Sequence, residues 1–274
     1  MTTKKIAIQG IKGSFHDEAA HTLFSSQSIK LIECFTFKEV AKAVIEEQAD
    51  YGVMAIENSI AGSILPNYNL LTEYNLQITD ELYMPINHYV MAQSGQKLEQ
   101  LKEVRSHPMA LMQCENYFEP YATRMVEVAD TALAAKEITI QNLKGIAAIA
   151  PKRSAYVYEL EILGEKIQTV KTNFTRFFVV QKKALKQIDF NKVSLKFKVS
   201  HESGSLAQIL NQIAFKRINM SKIQSVPVIE EPWNYSFFVD LILDKNSEFD
   251  LFLKSIHPLV KELKILGKYQ NKKE

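Results

Sequence analysis

The sequence predicts an α/β protein in which strands and helices alternate for about 180 residues, followed by a smaller βαββαβ unit. Apolar segments such as 51–56 are continuous, as expected of strands that helices cover on both faces. Beyond residue 180 the order strand, helix, strand, strand, helix, strand is the ferredoxin-like pattern. We therefore expect a mostly parallel sheet with helices on both sides, and then a ferredoxin-like unit.

The first elements are set by local signals. A strand over 5–9 leads into a turn with Gly10 and Gly13, and a helix begins at Ser14. The segment 36–39 (Thr-Phe-Lys-Glu) is a capping box that opens a second helix. The later expected elements are the strand 51–56, a helix after Pro108, a strand near 125–128, a helix capped by Asp130 or Thr131, a strand over 145–149 and a helix from Pro151.

The charged segment 181–189 has no periodicity and indicates a linker. The strand 193–199 alternates apolar and polar residues, so one face should meet helices and the other water or another subunit. The remaining elements are expected at 205–215 (helix), 223–229 and 236–243 (strands), 249–263 (helix) and 265–269 (strand).

Composition excludes several classes of protein. The chain has 274 residues, 46% of them hydrophobic, and a formal net charge of only +2, which does not favour nucleic acid as a partner. Two cysteines, Cys34 and Cys114, make a disulfide scaffold improbable and fit the cytoplasm. We expect no signal peptide or membrane span. No histidine or cysteine spacing indicates a metal, and no glycine-rich nucleotide motif is present.

The segment 173–177 (Asn-Phe-Thr-Arg-Phe) carries the clearest chemical signal. Thr175 and Arg176 stand side by side where an apolar strand begins, and core packing explains such a pair poorly. An anionic small molecule that needs a hydrogen-bond donor and a cation would explain it. The alternative is a surface ion pair for Arg176 and a strand preference for Thr175.

Four other polar groups follow strands or begin helices. They are 10–15 (Gly-Ile-Lys-Gly-Ser-Phe), 57–59 (Glu-Asn-Ser), 106–108 (Ser-His-Pro) with Gln113 and Cys114, and 130–132 (Asp-Thr-Ala). Ligands of open α/β sheets gather beyond the carboxyl ends of strands, and helix starts offer free N–H groups. Each group could equally be a turn or a helix cap, and Cys114 could be a small buried apolar residue.

Taken together and in this order, these motifs resemble bacterial prephenate dehydratase, and the trailing βαββαβ unit is similar to its ACT regulatory domain. The resemblance implies a catalytic region of two lobes, like type II periplasmic-binding proteins, over 1–182, a linker over 183–191 and an ACT domain over 192–270. It also implies prephenate as substrate, L-phenylalanine as effector, no metal or cofactor, and homodimers or homotetramers. Neither nucleic acid nor a membrane is expected as a partner.

The resemblance implies a role for each matching residue. Thr175 would be catalytic, donating a hydrogen bond or proton to the hydroxyl that leaves. Because a threonine hydroxyl is a poor acid, Arg176 or a proton relay would have to support it, and Glu57 is the second candidate acid. The expected substrate-binding residues are Arg176, Phe177, Asn58, Ser59, Glu57, Ser106, Gln113 and Ser14.

The expected effector site departs from the family pattern. Residues 204–207 (Gly-Ser-Leu-Ala) replace Gly-Ala-Leu-Ala, and residues 224–227 (Gln-Ser-Val-Pro) replace Glu-Ser-Arg-Pro, which removes both charges. The expected effector-binding residues are Ser205, Leu206, Ala207, Asn219, Met220 and Gln224. The alternative is a domain that only dimerises.

Two other functions stay open at this point. Arogenate dehydratase performs the same chemistry on an amino-bearing side chain, and no residue in the sequence separates the two substrates. A non-enzymatic amino-acid sensor on the same two-lobed fold is more remote, since it would not need Thr175 beside Arg176.

Overall fold

The computed structural model describes residues 3–183, 189–228, 231 and 234–272. The strands are β1 (Lys4–Gln9), β2 (Ile29–Cys34), β3 (Tyr51–Asn58), β4 (Gly62–Ser63), β5 (Gln77–Pro85), β6 (Tyr89–Ala92), β7 (Glu103–Ser106), β8 (Arg124–Glu127), β9 (Ile146–Ala150), β10 (Glu161–Gly164), β11 (Phe174–Gln181), β12 (Lys192–Lys198), β13 (Asn219–Pro227), β14 (Tyr235–Ile242) and β15 (Glu262–Tyr269). The α-helices are α1 (Phe15–Leu23), α2 (Phe37–Ile45), α3 (Leu65–Glu73), α4 (Pro108–Phe118), α5 (Thr131–Ile140), α6 (Lys152–Tyr158), α7 (Ser205–Phe215) and α8 (Asn246–Ile256), with short 3₁₀ helices at Leu98–Gln100 and His257–Leu259.

The first lobe is built on strands in the order β5-β11-β3-β1-β2. β1 pairs in parallel with β2 and β3, whereas β11 pairs antiparallel with β3 and β5. One face of this sheet packs on α1 through Ala19 and Ala20, and the other packs on α2 and α3 through Val40, Val44 and Leu71. The near-continuous apolar pattern of β3 follows from this double cover.

The second lobe has its own sheet, in the order β10-β6-β9-β7-β8, with α4, α5 and α6 against it. The chain crosses between the lobes twice, once after β5 and once before β11. The predicted two-lobed α/β fold is therefore confirmed. The expectation of a mostly parallel sheet is wrong: among the described residues, the first lobe has three antiparallel ladders beside two parallel ones, and the second lobe has two of each.

The C-terminal domain, residues 189–272, has the predicted βαββαβ order, and its strands lie in the order β13-β14-β12-β15. β15 continues the sheet of the first lobe through one parallel pair, Gly267 with Ile78. Only glycine allows this approach, because a Cβ at position 267 would overlap the Ile78 carbonyl oxygen. The two domains therefore share one ten-stranded sheet.

Local signals set the ends of several helices. Ser14, Thr36 and Asp130 cap α1, α2 and α5 as expected, each with its side chain accepting a backbone N–H. The last helix is shorter than predicted. It ends at Ile256 and continues only as a 3₁₀ turn that contains Pro258, which cannot extend a helix.

The polar face of β12 also differs from expectation. Lys192 is buried with its amino group 2.8 Å from Glu81 of the first lobe, and Ser194 is buried beside Asp240 and Tyr269, so neither faces water. Residues 184–188 of the predicted linker lie outside the described residues, and the domain boundaries stay predictions. Among the described residues, no helix combines the length and apolar character needed to cross a membrane.

Candidate active site

A cleft of about 310 Å³ lies between the two lobes. The start of α1, the end of β3, both crossing segments and the starts of α4 and α5 form its walls. Its lining includes Ser14, His16, Asn58, His88, His107, Gln113, Asp130, Asn173, Thr175 and Phe177. Sequence segments that are far apart in the chain therefore meet at one place.

Thr175 and Asn58 are register partners on β11 and β3, and both side chains reach the cleft. Asn58 Oδ1 accepts the backbone N–H groups of Ile60 and Ala61 at 3.0 and 2.9 Å, which fixes the orientation of the amide. Asn58 Nδ2 must then be the donor to Thr175 Oγ1, at 3.0 Å. Because the Thr175 oxygen accepts this bond, its own hydrogen is available to a ligand.

The same logic extends the network to His88. Asn58 Nδ2 also donates to Asn173 Oδ1 at 2.7 Å, so Asn173 Nδ2 donates to Gln113 Oε1 at 2.9 Å. His88 Nε2 lies 3.1 Å from that same Gln113 oxygen, which can only accept. The proton of His88 is therefore on Nε2. The five side chains join both lobes and both crossing segments in one chain of hydrogen bonds.

Two of the histidines that line the cleft, His16 and His88, are neutral at physiological pH. Burial lowers the pKa of His16 to about 3 and that of His88 to about 4, the latter despite the hydrogen bond to Gln113. His16 Nε2 accepts the N–H of Ala55 at 3.3 Å. The Nδ1 atom of His88 is buried and has no hydrogen-bond partner among the described residues.

Asp130 is the one carboxylic acid among the described residues that line the cleft. Burial raises its pKa, although its Oδ1 accepts the N–H groups of Ala132 and Leu133 at 2.8 and 3.0 Å. A carboxyl group in this position can hold or share a proton more readily than an exposed aspartate.

No lysine or arginine is among the described lining residues. Three helices, α1, α4 and α5, instead begin at the cleft, capped by Ser14, His107 and Asp130. In the first turn of α1 the N–H groups of Phe15 and His16 have no acceptor within the helix. Helix starts and such N–H groups favour anions, so the cleft can bind carboxylates without a cationic side chain.

Arg176 does not lie where the sequence predicted. It follows Thr175 on β11 and therefore points to the opposite face of the sheet. Its side chain is only 2% exposed, and it donates to Glu81 Oε2 at 2.8 Å, Asp240 Oδ2 at 2.5 Å and the Tyr269 hydroxyl at 3.1 Å. The expectation that Arg176 binds a substrate carboxylate is corrected, because these partners already use its guanidinium group.

Glu57 and Ser59 also lie on the far side of the sheet. Glu57 forms an ion pair with Lys222 of the C-terminal domain at 2.7 Å, which argues against its role as the acid in the cleft. Ser59 Oγ accepts the N–H of Phe174 at 2.9 Å. Both residues line a second cavity, of about 660 Å³, between the first lobe and the C-terminal domain.

Ser106 is fully buried in β7 and donates its hydrogen to the Ile149 carbonyl oxygen at 2.5 Å, which argues against the expected contact with substrate. Ser14, Gln113 and Phe177 do line the cleft as expected. The sequence interpretation missed His16 and His88. His88 lies in a crossing segment that carries no recognised motif, so no local signal could have found it.

The predicted effector residues do not all meet within one chain. Ser205 and Leu206 line a third cavity, of about 360 Å³, at the start of α7. Ala207, Asn219, Met220 and Gln224 are not part of its lining. Gln224 instead donates to the Ser225 carbonyl oxygen at 2.8 Å. The role of all six residues stays a prediction.

Comparison with known proteins gives a consistent result. A family model described as prephenate dehydratase matches residues 6–185. A bifunctional chorismate mutase/prephenate dehydratase of Aquifex aeolicus (strain VF5) is 35% identical over 97% of this chain and 73% of its own length. The chloroplastic arogenate dehydratase/prephenate dehydratase 2 of Arabidopsis thaliana is 32% identical over 97% of this chain and 72% of its own length.

Solved structures with a similar fold also match 97% of this chain. A prephenate dehydratase from Staphylococcus aureus subsp. aureus Mu50 has a TM-score of 0.85 at 25% identity, over 97% of this chain and 99% of that one. GqqA, described as a novel type of quorum quenching acylase, has a TM-score of 0.89 at 25% identity, over 97% of both chains. A prephenate dehydratase from Arthrobacter aurescens in complex with L-Phe shares the fold, with a TM-score of 0.85 at 24% identity over 97% of this chain and 90% of that one.

Proposed function

Since the chain belongs to the prephenate dehydratase family of enzymes, we propose that it converts prephenate to phenylpyruvate, carbon dioxide and water in the biosynthesis of phenylalanine. The observation that carries this proposal is the orientation of Thr175, whose hydroxyl accepts from Asn58 and can donate into the cleft. Prephenate has a ring hydroxyl that must leave and two carboxylates that must be bound. The cleft offers the Thr175 hydroxyl as a hydrogen-bond donor to the ring hydroxyl, and three helix starts as binding sites for the carboxylates.

The reaction needs little chemistry from the protein, because aromatisation of the ring drives the loss of carbon dioxide and hydroxide. The protein has to hold the ring carboxylate in a productive orientation, exclude water and assist the hydroxyl. Thr175 supplies the hydrogen bond that stabilises the developing negative charge on the departing oxygen. Phe177 and the neutral ring of His16 form part of the apolar wall.

Asp130 replaces Glu57 as the proposed source of the proton. Burial already raises its pKa, and a bound dianion would raise it further, because like charges disfavour the ionised form. A protonated Asp130 would give its proton to the departing hydroxide, directly or through a water molecule, while Thr175 orients that group.

Arogenate is the second candidate substrate, because a relative at 32% identity is named for both activities. It differs from prephenate in carrying an amino group in place of the keto oxygen. The test is to incubate the purified protein with each substrate, and to follow phenylpyruvate by its absorbance in alkali and phenylalanine by chromatography. Turnover of prephenate supports the proposal. Turnover of arogenate alone would replace the substrate, and turnover of neither would reject the function.

An acylase activity, suggested by the description of GqqA, fits the cleft less well. An acylase needs a nucleophile activated by a base. The Thr175 oxygen instead faces the amide donor of Asn58. Burial raises the pKa of Cys34 to about 11 and that of Cys114 to about 12, which suppresses the thiolate form of both.

We further propose that the C-terminal domain is an ACT domain that binds L-phenylalanine and joins two or four copies of the chain. The L-Phe complex of the Arthrobacter aurescens protein and the open cavity beside Ser205 and Leu206 support this. β13 is an edge strand whose Ile223 is 40% exposed, which suits pairing with a second copy. Calorimetry with L-phenylalanine tests the effector, since absence of heat at millimolar concentrations would favour a domain that only dimerises. Sedimentation tests the assembly.

A cytoplasmic location also stays a proposal, supported by the free cysteines.

A further inference from the structure

Four charged residues face one another across the boundary between the first lobe and the C-terminal domain. Glu57 and Arg176 are register partners on β3 and β11, and Lys222 and Asp240 are register partners on β13 and β14. Arg176 Nη1 lies 2.5 Å from Asp240 Oδ2, and Lys222 Nζ lies 2.7 Å from Glu57 Oε1. We call these four side chains the charge square.

The charge square lies mostly out of water. The side chains of Arg176, Asp240 and Lys222 are 2, 7 and 10% exposed. Burial by itself would raise the pKa of Asp240, but Arg176 and the Ser194 hydroxyl hold it below its ordinary value. Charges in such a setting interact strongly, and the loss of one partner leaves the other uncompensated. The contact between the domains therefore contains buried charges in addition to the apolar cluster to which Val226, Phe238 and Leu266 contribute.

The charge square is one residue away from the proposed catalytic pair. Asn58 and Thr175, the next register partners on the same two strands, point to the opposite face and into the cleft. The register of this ladder shifts directly after Arg176, between Arg176 and Phe177. A shift of this kind interrupts the regular hydrogen bonding of the ladder. The side chains of the charge square can thus fix strand positions that the ladder leaves less constrained.

We propose that Lys222 and Asp240 are positioning residues, through which the C-terminal domain sets the geometry of Asn58 and Thr175. The only strand pairing between the two domains among the described residues is Gly267 with Ile78 at the far end of β5. The charge square reaches the end of β3 and the start of β11, and Lys222 Nζ also donates to Ser63 Oγ on the adjacent β4 at 2.8 Å. For its catalytic readout the inference rests on the proposed function.

The first test reverses the charge of Lys222. Lys222→Glu places a carboxylate opposite Glu57, and we expect kcat to fall about fivefold or more with little change in KM. Lys222→Arg should keep the parent kcat, and the double variant Lys222→Glu with Glu57→Lys should recover most of it. Lys196→Glu is the matched control, because Lys196 pairs at 3.5 Å with Glu262 inside the C-terminal domain. A kcat of Lys222→Glu equal to that of the control would overturn the inference.

The second test does not depend on turnover. Hydrogen exchange, followed by mass spectrometry in the full chain, should become about twofold faster or more in peptides that contain Asn58 and Thr175 when Lys222 is replaced by Glu. The Lys196→Glu variant should leave these peptides unchanged. If exchange changes in β13 but not in the cleft peptides, the inference is wrong. If the parent has no activity on either substrate, the proposed function fails, while exchange still decides whether the charge square acts on the cleft.

Discussion

Thr175 and Arg176 are adjacent in the chain, yet they belong to different sites. The Thr175 hydroxyl lies in the cleft and accepts from Asn58 at 3.0 Å, whereas the Arg176 guanidinium group is buried on the other face with Glu81 and Asp240. Because successive side chains of a strand alternate, one dipeptide can serve the proposed catalytic face and a domain interface at once. The sheet of the first lobe separates the cleft from the domain interface.

Replacing Thr175 tests the role of its hydroxyl. Thr175→Val keeps the branched shape, which suits a strand, but removes the donor, and we expect turnover to fall about 10²-fold or more. Thr175→Ser is the matched control, because it keeps the hydroxyl, and it should retain most of the activity. Steady-state kinetics and a thermal melt of both variants give the result. A Val variant that makes phenylpyruvate at nearly the parent rate would rule out the assignment.

Replacing Asn58 tests the direction of the hydrogen bond. Asn58→Asp keeps the Oδ1 acceptor for Ile60 and Ala61 but replaces the Nδ2 donor by a second acceptor. The Thr175 hydroxyl would then donate to the new carboxylate instead of the substrate. We expect kcat to fall about 10²-fold, as when a preorganised donor is lost, while circular dichroism stays that of the parent. An active variant would mean that Thr175 does not act as the donor.

Features that depend on neighbouring residues were accessible from the sequence. The caps Ser14 and Asp130 are examples, because a capping side chain acts on N–H groups only two or three residues away. The βαββαβ order could also be predicted, because apolar residues recur with one period in helices and with another in strands. The antiparallel placement of β11 between β3 and β5 was not, because strand pairing is a long-range property.

The position of Arg176 shows where sequence reasoning ended. Its acidic partners Glu81 and Asp240 are 95 and 64 residues away in the chain, and neither stands in a motif. A positive charge beside the Thr175 hydroxyl suggested a substrate anion, although strand alternation already placed the two side chains on opposite faces. The sequence also could not show that α1, α4 and α5 begin at one cleft, or that the described residues lining this cleft include no lysine or arginine.

The buried imidazole of His16 predicts an acid-dependent loss of stability. Its pKa is about 3 in the fold and 6.5 when it is exposed, so the unfolded chain binds a proton below pH 6.5 and the native state does not. The stabilisation is complete above pH 6.5 and is lost as the pH falls towards 3. By pH 5 it should amount to a loss of about 2 kcal/mol in the free energy of unfolding.

His16→Gln provides the measurement, because glutamine keeps an acceptor for the Ala55 N–H but does not titrate. Urea unfolding of the parent and the variant at pH 7 and pH 5 should show a smaller drop for the variant. His257→Gln, at an exposed position near the end of α8, is the control and should behave as the parent does. Equal drops in the parent and His16→Gln would contradict the buried neutral state.

Gly13 tests how closely the lobes must approach at the edge of the cleft. It has a φ of +89°, and an added Cβ would lie 3.0 Å from the Ser154 hydroxyl and 3.1 Å from the Ser154 Cα on α6 of the second lobe. Ser154 also donates to the Gly13 carbonyl oxygen at 2.8 Å. Gly13→Ala should therefore strain the backbone by about 1–2 kcal/mol and also push the lobes apart.

The control is Gly95→Ala, where φ is +80° but no atom lies within 4 Å of the added Cβ. Both variants should lose stability from backbone strain in urea unfolding, and Gly13→Ala should lose more because its Cβ also crowds Ser154. Only Gly13→Ala should raise KM and lower kcat, because only there does the new methyl group meet the opposite lobe and disturb the hydrogen-bond chain from Thr175 to His88. If both variants keep the parent kinetics, contact between Gly13 and α6 is not needed to form the cleft.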